Sequence, residues 1–105
     1  MADAEFIRFL LDQLSSISNL SSKKMFGEYC LFYRDRIVAI INKEYRIFVK
    51  ANDETLPLFL AENAEQFSYL AKGKLHKMHY WTIPELAVEE PEELIKWIRL
   101  GIQAV

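Results

Sequence analysis

Residues 23–50, KKMFGEYCLFYRDRIVAIINKEYRIFVK, decide the fold. Three runs rich in Val, Ile, Phe and Tyr are set apart by the polar breaks Arg34-Asp35-Arg36 and Asn42-Lys43-Glu44, the pattern of an antiparallel three-strand meander. Strand alternation then places Met25, Tyr29, Leu31, Tyr33, Ile37, Ala39, Ile41, Tyr45, Ile47 and Val49 on one apolar face that should meet helices. The other face mixes Phe26, Glu28, Cys30, Phe32, Arg34, Val38, Ile40, Arg46, Phe48 and Lys50, and is too apolar for open water. Either a self-association partner covers it or it is an aromatic binding surface. Gly27, inside the first run, marks a bulge or a close backbone approach.

Outward from the meander, helical spacing takes over. Phe6, Phe9, Leu10 and Leu14, joined by Ile7 and Leu11, recur every three or four residues, which predicts an amphipathic helix over residues 3–14 with Asp3 as its N-cap. Residues 15–22 hold five serines and an asparagine that compete for backbone hydrogen bonds, so they read as a loop with Ile17 and Leu20 turned inward. After the meander, Asp53 or Thr55 can cap a helix that tolerates Pro57 in its first turn, buries Leu56, Phe59 and Leu60, and stops at Asn63. Residues 66–71 and 75–83 form a strand pair about the turn Lys72-Gly73-Lys74, closed by Pro84. A last helix starts at Pro91, with Glu92 and Glu93 in its first turn and Leu94, Ile98 and Ile102 facing inward beside Ile95 and Trp97. The expectation is a two-layer α+β domain with a five-stranded antiparallel sheet, in the order α-β-β-β-α-β-β-α.

Composition sets the outer bounds. A chain of 105 residues, 51% hydrophobic and 27% charged, suits one domain with one core. A single cysteine, Cys30, allows neither an internal disulfide nor a cysteine zinc quartet, which fits a reducing compartment and a cytoplasmic location. The acids Asp3, Glu5 and Asp12 interrupt the N-terminal apolar residues, so no secretory signal is read there, and no run approaches a membrane span of roughly 20 residues. Net charge of −2 argues against a general electrostatic grip on nucleic acid. The charge is uneven, however: residues 21–50 are basic, Lys72, Lys74 and Lys77 follow with no acid nearby, and residues 85–105 are acidic.

Chemistry is sparse. His76 and His79 point to opposite faces of a strand, so they do not converge on a metal, and no metal or cofactor is expected. Cys30 could serve a small enzyme as nucleophile if a neighbouring base lowered its pKa, but a half-buried strand thiol is the simpler reading. The acid pairs Asp53-Glu54, Glu89-Glu90 and Glu92-Glu93 sit where helix starts favour negative charge. There is no phosphate-cradling glycine loop, nucleophile elbow or HExxH pattern. Residues 72–81 interleave Lys72, Lys74 and Lys77 with aromatics including Trp81, the grammar of a nucleic-acid platform, although a solubilised hairpin with a core side chain explains it too.

The block Met25-Phe26-Gly27-Glu28-Tyr29, the strand ending Ile47-Phe48-Val49-Lys50, and the segment Tyr80-Trp81-Thr82-Ile83-Pro84-Glu85 resemble the N-terminal domain of the TfoX/Sxy family of competence regulators. The resemblance implies helices packed on an antiparallel sheet and marks Met25, Phe26, Gly27, Glu28, Tyr29, Lys50, Tyr80 and Pro84 as family-motif positions. One departure is Asp35-Arg36, where the family usually has an Asp-Gly hairpin. Members of the family are bacterial regulators that raise expression of natural-competence genes together with the cyclic-AMP receptor protein. The chain stops after the first domain, so residues 1–105 read as one such domain without a C-terminal one, which favours protein–protein contact over autonomous DNA binding. The expected function is thus that of a non-enzymatic interaction module of competence-type transcription control. Its partner would be transcription machinery or a cyclic-AMP receptor protein-type regulator, with a homodimer also open, bound through Phe26, Phe32, Phe48 and Lys50. Direct nucleic-acid binding through Lys72, Lys74, Lys77 and Trp81 is the alternative, and no membrane is involved.

Overall fold

The fold is that of a computed structural model, which describes residues 4–25 and 27–105. Asp3, read as a cap, and Phe26 lie outside the described residues. The chain opens with helix α1 (Ala4–Gln13) and continues through strands β1 (Leu20–Met25), β2 (Glu28–Tyr33), β3 (Arg36–Ile41) and β4 (Ile47–Lys50). Helix α2 (Leu56–Leu60), strands β5 (Gln66–Ala71) and β6 (Lys74–Thr82), a 3-10 helix (Glu85–Glu89) and helix α3 (Pro91–Gln103) complete it. The α+β class holds, with a fully antiparallel sheet in the order β1-β2-β3-β4-β6-β5.

The sheet has six strands among the described residues, one more than the sequence suggested. The first apolar run is two strands: β1 and β2 close at the pair Met25↔Glu28, and Gly27 at φ +79° belongs to the connecting turn rather than to a bulge. β1 therefore reaches back into the serine-rich segment read as a loop. Its side chains are mostly exposed and need no apolar alternation, because β2 alone supplies its hydrogen-bond partners.

A true bulge lies further on, between Leu31 and Phe32, where Leu31 pairs with Ala39 but Phe32 with Ile37. The extra residue on β3 is Val38, and it reverses the alternation upstream of it. Val38, expected on the outer face, is fully buried under α3, while Ile37, expected inside, packs with the opposite cluster. Met25 changes sides too, because the turn at Gly27 resets the register of β1. Tyr45 precedes β4 and is 42% exposed, leaning its ring on Phe6 at 4.9 Å.

The β2–β3 turn is Arg34-Asp35, one position earlier than read, with φ of 49° and 70° as a type I′ turn requires. Lys72-Gly73, at 52° and 75°, repeats that geometry between β5 and β6. Asn42 organises the β3–β4 connection: its Oδ1 accepts from the backbone N–H groups of Glu44 and Arg46. Before α2, Asn52 Oδ1 accepts from Thr55 N–H and Thr55 Oγ1 from Asn52 N–H, a reciprocal lock that explains why the buried Thr55 hydroxyl is satisfied. The helix it starts is short, and of its predicted stripe only Phe59 is buried, since Leu60 stays 50% exposed.

The core lies on one side of the sheet. Ile7, Leu10 and Leu14 around α1, Phe59 of α2, Ala87, and Leu94, Trp97 and Ile98 of α3 pack on Leu31, Val38, Ala39, Ile41 and Val49. α3 starts at Pro91 as its sequence dictates, with Glu92 and Glu93 in the first turn. Gln13 ties α1 to the 3-10 helix by donating from Nε2 to the Val88 carbonyl at 2.9 Å.

Candidate functional site

The sheet face opposite the helices is the place to look, because every buried side chain of the described helices packs on the other side. Its centre is Cys30, Ile40, Phe48, Phe67 and Tyr80, each no more than 8% exposed, ringed by half-buried Met25, Phe32, Ile37 and Met78. No helix supplies that burial. The rings supply it themselves by leaning across the strands: Phe48 on β4 and Phe67 on β5 meet edge to face at 5.1 Å, although β6 runs between their strands. A flat sheet would separate those strands by about 10 Å. Long cationic side chains finish the cover, with Arg46 Cζ 5.7 Å from the Phe48 ring and Lys50 Nζ 5.1 Å from the Tyr80 ring.

An open groove of about 460 Å³ runs along one end of this face, floored by Phe48 and Phe67 and walled by Glu28, Lys43, Glu65 and Gln66. Gly27 shapes it: a β-carbon there would lie 3.2 Å from Lys43 Cε, so the glycine leaves room for the lysine stem to cross. Arg46 Nη1 and Glu65 Oε2 close the rim at 2.6 Å. Both side chains are largely exposed, so this pair positions the loop more than it stabilises the fold.

Burial governs the electrostatics. It pushes the Glu28 carboxyl above its ordinary range, and Lys43 only partly offsets the rise. The Cys30 thiol is raised by burial and then by the Glu28 carboxylate, and the Tyr80 phenol by burial and then by Cys30. A nucleophilic thiol needs the opposite shift, and the neighbours of Cys30 hold it protonated.

Of the residues proposed for protein contact, Phe26 lies outside the described residues, and Phe32, Phe48 and Lys50 are brought to one face but not equally presented. Phe48 is buried, Phe32 half-buried, and Lys50 half-buried over Tyr80. Of the motif positions, Met25, Gly27, Glu28, Lys50 and Tyr80 gather on or beside this face, whereas Tyr29 packs against the helical core and Pro84 starts the 3-10 helix. The basic–aromatic segment separates. Lys72, Lys74 and Lys77 are exposed on the β5–β6 hairpin, but Trp81 faces the helical core, its indole N–H buried without an acceptor. His76 stacks on Tyr69 at 5.1 Å and does not meet His79, and among the described residues no three of His, Cys, Asp and Glu cluster as metal ligands. None of Lys43, Glu65 and Gln66 stands out as a site residue in the sequence: Lys43 reads only as part of a polar turn, and Glu65 and Gln66 reach the Arg46 loop only through the return of β5.

The family model described as TfoX N-terminal domain matches residues 12–105, nearly the whole chain. No curated protein matches it.

Proposed function

We infer the function from one premise: the chain belongs to the TfoX N-terminal domain family. On that premise it is a non-enzymatic interaction module linked to transcriptional control of natural competence, acting by protein–protein contact through the sheet face that no helix covers. What supports the competence link is the kinship with TfoX/Sxy regulators. What supports the face is a single arrangement: half-buried Met25, Phe32, Ile37 and Met78 ring a buried aromatic centre, with Lys50 and Arg46 lying across it. Such a rim can be desolvated by a partner at little cost, and the cations give it a preference for an acidic one.

A competence-promoter reporter in a bacterial host that supplies the cyclic-AMP receptor protein tests the reading. The chain should raise reporter expression, and Phe32→Ser with Lys50→Glu should abolish the rise while the circular dichroism spectrum is retained. No activation by the unaltered chain would remove the competence link, and full activation by the folded double variant would remove this face. Phe48 is a poor probe because its ring is buried and its loss would unsettle the sheet.

A second reading has one observation behind it. Lys72, Lys74 and Lys77 are all exposed on a hairpin whose residues 66–82 hold no acid. Nucleic-acid binding there would weaken steeply with salt, and no shift of duplex or single-stranded DNA at low salt would dismiss it.

A further inference from the structure

The two outer strands of the sheet are built differently. β1 carries Lys23 and Lys24, charges that oppose pairing with another chain. β5, Gln66-Phe67-Ser68-Tyr69-Leu70-Ala71, carries neither charge nor proline, and its Ser68, Tyr69 and Leu70 are exposed, Leu70 at 75%. An uncharged outer strand of this length leaves a row of backbone donors and acceptors open.

Its geometry says which groups are open. The two-residue Lys72-Gly73 turn makes Ala71 and Lys74 the hydrogen-bonded pair that flanks it. Alternation along the ladder then directs the N–H and C=O of Tyr69 toward His76 and those of Ser68 and Leu70 outward. That pattern is self-complementary. In an antiparallel pair about Tyr69, Leu70 of each copy exchanges both hydrogen bonds with Ser68 of the other, and the sheet continues across the junction with its faces matched.

Charge selects a second copy as the occupant. The same register lays Lys72, at the tip of the hairpin, beside Gln66 and Glu65 of the other copy. The tip carries Lys72 and Lys74, and the base of β5 follows Glu62 and Glu65, so each end of the junction meets the opposite sign. We propose that β5 is a homodimerisation edge, through which two copies pair antiparallel over residues 68–70 and join their six-stranded sheets into one. The proposal does not rest on the competence reading, because it uses only the open backbone edge of β5 and the charges at its ends, although Gln66, Phe67 and Ser68 also line the groove.

Sedimentation equilibrium of the full chain, from low micromolar to hundreds of micromolar, tests it. A monomer–dimer equilibrium is expected. Ser68→Lys, a change at an exposed side chain, and Leu70→Pro, which removes an N–H that β6 does not use, should each weaken it at least roughly tenfold, about 1.4 kcal/mol. Lys72→Glu should also weaken it. Circular dichroism confirms that each variant is folded. A chain that stays monomeric throughout, or a dimer whose dissociation constant is unmoved in folded Ser68→Lys, overturns the proposal.

Discussion

Gly101 of α3 lies so close beneath Val38 of β3 that a β-carbon at the glycine would sit 2.8 Å from the Val38 carbonyl oxygen. The same atom would lie 2.8 Å from Val49 Cγ1, so helix and sheet meet here backbone to backbone. In an open helix, Ala would be favoured over Gly by about 1 kcal/mol. Here the obstacle is partly a carbonyl that cannot rotate away, and overpacking of about 1–3 kcal/mol wins. Gly101→Ala is expected to lower the urea midpoint of unfolding; an unchanged or higher midpoint contradicts this contact.

Arg34 and Asp35 hold positive φ without being glycine, a cost the sheet bears to make a tight β2–β3 turn. Asp35→Gly removes the penalty at one position and leaves the Arg34 guanidinium, 5.3 Å from the Tyr33 ring, in place. The expected gain is about 1 kcal/mol, a rise in Tm of several degrees for a domain of this size. A lower Tm would mean that Asp35 makes a contact of greater worth.

Glu28 links stability to pH. Its folded pKa is raised above the ordinary 4.5, so the folded chain binds this proton more tightly than the unfolded one. Wild-type stability from this group is therefore full below the ordinary carboxylate range and is lost as pH rises through the raised value. Glu28→Gln removes the titration. Its midpoint relative to wild type should improve as pH rises from the ordinary carboxylate range through the raised value. A difference that is constant across that interval contradicts the burial of the carboxyl.

Cys30 is buried and its thiol is raised, so iodoacetamide should modify it more slowly in the folded chain than in urea at the same pH. A native rate equal to or above the unfolded rate contradicts the protonated, sheltered thiol and revives a nucleophilic role.

Much of this architecture could be read from local chemistry. Pro91 with Glu92 and Glu93 announces α3, Lys72-Gly73 announces the β5–β6 turn, and the spacing of Ile7, Leu10 and Leu14 gives α1 its buried side. What escaped depends on the neighbour rather than on the residue. β1 is a strand because β2 offers it partners, and Ser21 to Lys24 carry no apolar alternation to announce it. The bulge at Leu31 and Phe32 exchanges the sides of Ile37 and Val38, and nothing in Ile-Val-Ala-Ile-Ile distinguishes one phase from the other. The outer face was legible as apolar, yet its closure was not, because Phe48 and Phe67 find each other only when a later hairpin arrives beside β4.

That late arrival has a consequence for how the chain matures. Residues 20–50 can zip neighbour to neighbour, and so can residues 66–82, each needing only short loops. The two pieces are stitched by Phe48↔Thr82, Val49↔Trp81 and Lys50↔Tyr80, a short seam through the middle of the sheet. Closing that seam is what completes the ring-lined side, since Phe48 lies on one piece and Phe67 on the other.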